Sequence, residues 1–531
     1  MSGSREKLQA EALANLQANA RALVRVDGQQ WNDLATGGFG PGVTWLRGRD
    51  GSLTARVGDR WLGGSLLPTR VGQRLTKDFD ASHGAILLVA PNHLAHVRAI
   101  VDRLETGQSL FVVWPDVRSL RLALGCGDVS DAISSGKVAC FAGTHDLAAS
   151  ARRHRGRVLP RTLHLCGDAE AVQGPKVHEL LAQAKSALEA SAAWQASEVQ
   201  RRLEQPAIDV EGPVLIAAGS GFRLLADAGR QLTSALAGLG ARVLDLDDPR
   251  HASPLALADA TAGVSALVTA DVLRRDLPSV VPTLLPWVTW ISQHRTPVAP
   301  INDLDHLVLA EASWREAWQA AGWRSDQIAI AGWTRPKRTS GGGGGRGVLV
   351  AFDLPTNDTL PASVAEFSSQ RVSWENMADE LAARPNSLVE AGGRDAYLIG
   401  RLRASGVDPA DVDRGLWQAR LITPSFVRGI GKLARRAGAT LAGRGWPDAR
   451  DASTAEAFDR LLDRHAVLLD PTPEGHPALA GQGLPVLRAA SLDPQQLARH
   501  IREARGQRPP ASDLAGAIRS RLASRPRRLA A

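Results

Sequence analysis

Short, unbroken apolar runs that alternate with helical segments are the feature that most restricts the fold of this chain. The first is Ala85–Ala90, and similar runs occur at Ser109–Trp114, Pro213–Ala218 and Trp287–Ile291. A strand that is apolar on both faces is typical of a parallel sheet covered by helices on both sides. The repeated order of strand, helix and strand therefore predicts an α/β protein built from Rossmann-like units.

The 531 residues contain three groups of such strands. The first group is predicted at 85–90, 109–114, 137–142 and 162–166. The second is predicted at 213–218, 241–246, 265–269, 287–291, 306–310 and 327–331. The third is predicted at 347–352, 387–390, 440–442, 466–470 and 484–487. Helical spacing of apolar residues predicts helices at 8–23, 177–203, 222–239, 492–505 and 511–524.

Breaks between these groups predict the domain boundaries. Alternating apolar residues around Asp50-Gly51 and Gly58-Asp59 predict a small β-meander behind the first helix, and five consecutive glycines, Gly341–Gly345, predict a flexible join. The predicted order is a helix and meander at 1–80, a degenerate Rossmann-like domain at 81–170, a helical spacer at 171–210, an α/β domain at 211–339, a glycine linker at 340–347, and a last α/β domain with a basic tail at 348–531.

Charge and cysteine content narrow the function classes. The formal net charge is +8, but only seven of the 63 basic residues are lysine, which favours codon bias over a selected nucleic-acid surface. We therefore expect no nucleic-acid partner. The three cysteines match no metal-site spacing and are expected to be small buried side chains in a reducing compartment.

No segment predicts membrane insertion or export. The longest apolar stretch, Val280–Ile291, is interrupted by two prolines and is far shorter than the roughly 20 residues of a spanning helix. The first 23 residues intersperse charges among their apolar positions, unlike a secretory signal. A cytoplasmic location is the expectation.

The C-terminal part resembles the GT-B glycosyltransferases. Two motifs show this resemblance. The first is Leu469–Pro477, which contains a Glu-Gly pair and is followed by Gly483-Leu-Pro-Val486. The second is Arg428-Gly-Ile-Gly-Lys432, which is expected to open a helix leading to Gly443-Arg-Gly-Trp446. The resemblance implies that Glu474, Gly475 and His476 contact a sugar nucleotide. It also implies that Arg428 or Lys432 faces the leaving diphosphate, where a fixed cation stabilises accumulating negative charge.

The preceding domain resembles glycosyltransferases of the spore-maturation type. Pro286–His294 and Leu304–Leu309 carry this resemblance, and Gln293 and His294 stand where that family usually has an acidic residue. His294 is the candidate general base. Gly219 and Gly221, between a strand and a helix, are candidate phosphate ligands or simply permit close packing. Asp245-Leu-Asp247 spells a metal-binding triplet but is interpreted as a loop feature.

The first Rossmann-like unit is similar to that of motility-associated glycosyltransferases. Its first strand is followed by Ala90–His93 rather than by glycines, which crowds the turn where a pyrophosphate would approach. Asp116, at the end of the next strand, is a candidate ribose ligand. Without the glycines, a structural or partner-binding unit is the preferred interpretation.

Across residues 60–505 the resemblance implies that 211–339 is the acceptor-side domain and 348–531 the donor-side domain of a GT-B pair. The expected activity is transfer of a sugar from a nucleotide-diphosphate donor to a glycan, protein or lipid acceptor, with no metal and no other cofactor. The alternative is a catalytically silent GT-B-like binding or assembly protein, because the second acidic donor position holds Gln482 or Ala478. A nucleic-acid-binding role rests on net charge alone.

Overall fold

The structure is a computed structural model of the full chain. It describes residues 2–28, 31–76, 84–104, 107–166, 176–219, 228–277, 279–333, 348–354, 360–436, 438–443, 445–446, 449–450, 452, 455–465, 467–472, 479, 486–488, 518 and 520. The predicted glycine linker and the predicted helices at 492–505 and 511–524 lie outside this part of the chain, apart from single positions.

The chain forms two compact units. The first consists of Met1–Gly219, Arg242–Ser265 and Leu277–Leu285, and the second of Ser220–Ala241, Ala266–Asp276 and Pro286–Ala531. The six segments drawn from the sequence, and the five boundaries between them, remain predictions.

The first unit begins with two helices and the expected meander. Helices α1 and α2 are Ser2–Asp27 and Asn32–Thr36. Strands β1, β2 and β3 are Val43–Arg47, Leu53–Val57 and Arg60–Trp61, and they form an antiparallel sheet in the order β1-β2-β3. The β1–β2 turn contains Gly51 with a φ of 81°, a conformation that glycine adopts without steric cost.

A four-stranded parallel sheet comes next in the first unit. Its strands are β4 Ala85–Val89, β5 Ser109–Trp114, β6 Val138–Ala142 and β7 Thr162–Leu165, in the order β6-β5-β4-β7. The accompanying helices are α3 Pro68–Leu75, α4 Leu94–Val101, α5 Val117–Gly125, α6 Ser130–Ser134 and α7 Thr144–Arg153. Every residue of β4 and β5 is buried, as an unbroken apolar run requires.

Helix α1 is tied to this sheet domain by one buried side chain. The Asn19 amide donates to the carbonyls of Leu124 and Gly127 at 3.0 and 2.8 Å, and its oxygen accepts from the Val129 N–H at 2.9 Å. Leu16 and Leu23 of the same helix are fully buried in the core. The predicted amphipathic helix therefore packs against the sheet domain, and its buried amide is satisfied.

The first unit also contains the helices α8 Lys176–Glu204 and α10 Pro254–Ala260 and the parallel pair of strands β8 Val214–Ala218 and β9 Arg242–Asp245. Helix α9, Ala228–Leu236, belongs to the second unit. The helix predicted at 177–203 is confirmed, and its role as a spacer remains a prediction. All three cysteines are buried, as expected, and none of them forms a disulfide.

The second unit contains two groups of parallel strands. Strands β10 Ala266–Ala270, β11 Trp287–Ile291, β12 Asp305–Leu309 and β13 Ile328–Ile330 pair in sequence order. Strands β14 Val348–Ala351, β15 Thr440–Ala442, β16 Val467–Asp470 and β17 Val486–Arg488 form a sheet in the order β15-β14-β16-β17. Parallel sheets with crossover helices confirm the predicted α/β class.

The helices of the second unit are mostly in its C-terminal half. They are α11 Arg315–Ala320, α12 Ala362–Ala365, α13 Ser368–Ala383, α14 Asn386–Glu390, α15 Arg394–Ala404, α16 Arg414–Trp417, α17 Thr423–Arg436 and α18 Ala455–Arg464, with a π-helical turn at Gln418–Ile422. The described part of the chain contains no helix that is both long and apolar enough to cross a bilayer.

One predicted strand is wrong. The segment 387–390 forms helix α14 between Pro385, which precedes it, and Gly392, whose φ is 83°. Only Leu388 is deeply buried, and a four-residue apolar segment does not distinguish a buried strand from one helical turn. Proline before the segment and glycine after it are helix-boundary signals that outweigh the local apolar pattern.

Candidate active site

Asp271 follows strand β10 in a strained backbone conformation. Its φ is 56°, one of three positive values among the described non-glycine residues. Carboxyl ends of parallel strands are where open α/β sheets bind ligands. A non-glycine residue held in this region is uncommon and is often found where a side chain must take one fixed position.

The Asp271 carboxyl accepts three hydrogen bonds from the residues that follow the neighbouring strand β11. Ser292 donates its N–H at 2.7 Å and its hydroxyl, and Gln293 donates its N–H at 3.3 Å. Loss of hydration on burial is the largest influence on this group and raises its pKa to about 6, even though these bonds favour the ionised form. A carboxyl that titrates near neutral pH is suited to proton transfer.

Arg295 fixes the loop around Asp271 from the other side. Its guanidinium donates to the Asp271 carbonyl at 2.8 Å and to both oxygens of Asp276, at 3.0 and 3.2 Å. Burial opposes ionisation of Asp276, but the bonds from Arg295 and from the Leu273 N–H hold its pKa below the ordinary value. Arg295 therefore braces the loop through an ion pair.

Two tryptophans support Ser292 from below. Trp333 donates its indole N–H to the Ser292 carbonyl at 3.1 Å, and Trp290 donates to the Ala331 carbonyl at 3.2 Å. The two rings lie 4.8 Å apart between centroids, and both are buried. Ser292, which donates hydrogen bonds to the Asp271 carboxyl, is thus held in place by packed aromatic side chains, which give a reacting group a rigid support.

His294, the predicted base, lies on the surface of the second unit beside residues from the C-terminal helices. Its Nδ1 is 3.2 Å from an Nη of Arg394, which also donates to the Thr423 hydroxyl at 3.0 Å. The His294 ring lies edge-on to Trp314, with centroids 6.0 Å apart. Arg394 begins α15 and Thr423 begins α17, so this cluster joins the end of β11 to two helices.

The Arg394 contact determines what the imidazole of His294 can do. A guanidinium only donates hydrogen bonds, so Nδ1 must be the acceptor and the proton of the neutral ring resides on Nε2. In this arrangement Nε2 donates and does not accept a proton. Asp271 is therefore better placed than His294 for the base role, and His294 as the base remains a prediction.

Arg428 and Lys432 lie one helical turn apart in α17, with Arg428 half-buried and Lys432 exposed. The expectation that Arg428 opens a helix is wrong, because helical structure runs without a break from Arg414 through the π-turn to Arg436. Neither residue can therefore act together with a helix N-terminus. Their predicted contact with a diphosphate remains a prediction.

The glycines of the same motif have a packing role. A β-carbon on Gly429 would come within 2.5 Å of the Leu381 carbonyl oxygen, and one on Gly431 would overlap the Trp446 ring. Trp446 donates its indole N–H to the Phe352 carbonyl at 2.6 Å. The Gly-Ile-Gly sequence thus allows α17 to lie close to α13 and to the loop that carries Trp446.

Other predicted binding residues are separated or undescribed. Gly219 follows β8 in the first unit, and a β-carbon there would overlap the Asp247 carboxylate, so its smallness is needed for packing. The carboxylate also places negative charge where a phosphate was expected. The remaining predicted contacts lie outside the described residues: Gly221, Glu474, Gly475 and His476.

Sequence reasoning missed Asp271 and Arg394. A signal existed for the first, because an aspartate immediately after an apolar strand is the usual place for a polar functional group in a parallel sheet. Arg394 had no local signal among so many arginines. Its contact with His294 spans 100 residues of sequence and depends on the tertiary fold.

Comparisons with known proteins add little to this geometry. No family model matches the chain, and no curated protein matches it. Among solved structures, the chain is similar to a MAf glycosyltransferase from Magnetospirillum magneticum AMB-1, at 12% sequence identity and a TM-score of 0.24. This match covers 57% of the present chain and 56% of the other, and a TM-score this low does not establish a common fold.

Proposed function

We propose that this protein transfers a glycosyl group from a nucleotide-sugar donor to an acceptor hydroxyl, with Asp271 as the general base. The observation that carries the proposal is the Asp271 carboxyl, whose pKa is raised to about 6 at the carboxyl end of a parallel strand. A base near neutral pKa removes the acceptor proton as the hydroxyl attacks the anomeric carbon.

The leaving nucleoside diphosphate needs positive charge that is already in place. Arg394 supplies a guanidinium held by His294 and Thr423, and the Nε2–H of His294 supplies a second donor beside it. Donors fixed before the reaction stabilise developing negative charge without reorganisation. Arg428 and Lys432 lie in the same helix as Thr423, and their proposed contact with the diphosphate rests on the sequence motif alone.

In the proposed reaction the acceptor oxygen forms a bond to the anomeric carbon as the bond to the diphosphate oxygen breaks. The acceptor proton moves to the Asp271 carboxylate, and the electron pair of the broken bond stays on the diphosphate. Glu474, Gly475 and His476 retain their proposed role as sugar-nucleotide contacts on the strength of the sequence motif alone.

The test is nucleotide release by the purified full chain, given uridine, guanosine, cytidine and thymidine diphosphate sugars with and without candidate acceptors. We expect release with one donor, and about a 100-fold loss in Asp271→Asn, the usual size of a general-base contribution. Asp379→Asn, which neutralises an exposed carboxylate in α13, is the matched control and should retain activity.

A second set of variants tests nucleotide binding separately from the transfer step. Arg394→Gln should weaken nucleoside diphosphate binding, whereas Arg436→Gln, an exposed arginine near the end of α17, should not. If nucleoside diphosphates raise the melting temperature but no donor is turned over, the catalytically silent alternative is supported. If no nucleotide binds, the proposal fails.

A further inference from the structure

A cavity lies in the first unit. It has a volume of about 270 Å³ and is bordered by strand β3, by the loop after β4 and by the start of α5. Its polar lining consists of Arg60, Asn92, Asp116, Arg118 and Ser119, and Trp61 contributes an aromatic surface. A concave site that combines apolar walls with a few polar groups is typical of a small-molecule site.

The position of the cavity in the sheet is informative. In the strand order β6-β5-β4-β7, β4 and β5, the first two strands of this parallel sheet along the chain, are neighbours. The cavity lies at the carboxyl ends of β4 and β5. Asp116 is the second residue after β5. In nucleotide-binding sheets of this order, an acid near the end of the second strand accepts hydrogen bonds from the ribose hydroxyls.

The Asp116 side chain is already oriented for this role. Its Oδ1 accepts from the Ser119 N–H at 2.7 Å, which caps α5 and fixes the carboxylate at the cavity edge. The other oxygen, Oδ2, has no hydrogen bond to another residue in the described part of the chain. One oxygen therefore holds the carboxylate in place, and the other can accept from a diol.

The loop after β4 determines the size of the ligand. Ala90 takes a φ of 51° and the Pro91 carbonyl accepts from the Trp114 indole at 2.8 Å, so the turn is rigid and carries β-carbons where a pyrophosphate loop has glycines. A cavity of about 270 Å³ also lies at the lower limit of ligand pockets. Both observations favour one nucleotide unit with a single phosphate over a dinucleotide.

Charge and aromatic surface match the rest of such a ligand. Arg60 and Arg118 both line this cavity, so an anionic group of a ligand would have cationic side chains beside it. Arg118 also donates to the Pro41 carbonyl at 3.3 Å, which holds its side chain at the edge. The half-buried Trp61 offers a face on which a base can stack.

From this combination we propose that the first unit binds a ribonucleoside monophosphate. Asp116 accepts from the ribose diol, Trp61 stacks on the base, and Arg60 and Arg118 bind the phosphate. The site would make the degenerate Rossmann-like unit a ligand-binding unit, distinct from the proposed transfer site in the second unit.

The test is calorimetric titration of the full chain with AMP, GMP, CMP and UMP, each compared with its 2′-deoxy form. Ribose 5-phosphate and inorganic phosphate are titrated as well, to measure binding of the sugar phosphate and of the phosphate alone. We expect one ribonucleotide to bind, its deoxy form to bind about 10-fold more weakly, and inorganic phosphate not to compete at similar concentration. Equal binding of inorganic phosphate or ribose 5-phosphate would overturn the nucleotide assignment.

Three variants localise the binding. Asp116→Asn keeps a helix-capping residue and should weaken binding about 10-fold, because the charged acceptor is lost. Trp61→Leu should weaken it about 10-fold through lost stacking, and Trp61→Phe should restore most of the affinity. The comparison of Trp61→Leu with Trp61→Phe does not depend on Asp116. It therefore decides the outcome even if Asp116→Asn fails to fold.

The two proposals are distinguishable. Arg394→Gln should leave monophosphate binding unchanged, and Asp116→Asn should leave donor turnover unchanged. Absence of binding by all four ribonucleotides, or unchanged affinity in both Asp116→Asn and Trp61→Leu, refutes the second site without bearing on the first.

Discussion

Replacing Asp271 by asparagine isolates the energetic cost of the raised pKa. The pKa rises from an ordinary 3.8 to about 6 in the folded chain. A raised carboxyl pKa means that the folded state favours the protonated form. The associated stability is therefore present below pH 3.8 and is lost as the pH rises through 6.

The size of the effect is set by the shift. At about 1.36 kcal/mol per unit, ionisation of Asp271 destabilises the folded chain by about 3 kcal/mol at high pH. About half of this, roughly 1.4 kcal/mol, is lost between about pH 5 and pH 8. An asparagine side chain at this position cannot ionise. The stability of Asp271→Asn relative to the wild type should therefore rise by this amount between about pH 5 and pH 8.

Thermal unfolding of both proteins from about pH 5 to pH 8 measures the difference. For a unit of this size, about 1.4 kcal/mol corresponds to a relative gain of roughly 3 °C for Asp271→Asn. Asp379→Asn is the control, since its exposed carboxylate should leave the difference from wild type constant with pH. A pH-independent difference between Asp271→Asn and wild type would refute the raised pKa.

Three further predictions concern packing, a buried ion pair and the thiols. Gly431→Ala should destabilise the chain by about 1–3 kcal/mol in urea unfolding because its β-carbon overlaps the Trp446 ring, whereas Gly400→Ala, with open space around it, should be neutral or stabilising. Arg274→Met should lower the free energy of unfolding by about 3–5 kcal/mol, because Arg274 and Asp305 form a buried ion pair at 2.7 Å and the carboxylate would lose its counter-ion. A smaller loss in the double variant with Asp305→Asn would confirm that origin. Equal losses in the single and double variants would contradict it. All three cysteines should react with a thiol reagent only on unfolding, because burial blocks access and raises the pKa of Cys126 and Cys140 above the ordinary value; fast labelling of the native chain would disprove this.

Much of the fold can be predicted from local pattern. Apolar runs such as Ala85–Val89 form buried strands because a strand of a covered parallel sheet needs apolar side chains on both faces. The segment 387–390 fails as a strand because four residues carry too little periodicity, and its flanking proline and glycine decide for a helix.

The candidate site depends far more on the tertiary structure. His294 could be singled out from its position after an aromatic strand, but its tautomer is determined by Arg394, 100 residues away. The raised pKa of Asp271 comes from burial, and its hydrogen bonds come from residues 21 and 22 positions later. Such quantities depend on which groups surround a side chain, and no local spacing contains that information.

The sequence by itself determined the α/β class, most of the strands, the N-terminal meander and the long helix at 176–204, because these depend on short-range periodicity and turn residues. Only the tertiary structure decided that Asp271, Ser292 and Arg295 share one loop cluster and that Trp61 and Asp116 border one cavity. Strand order and helix packing bring these residues together across long stretches of chain, and burial then sets their charge and hydrogen bonding.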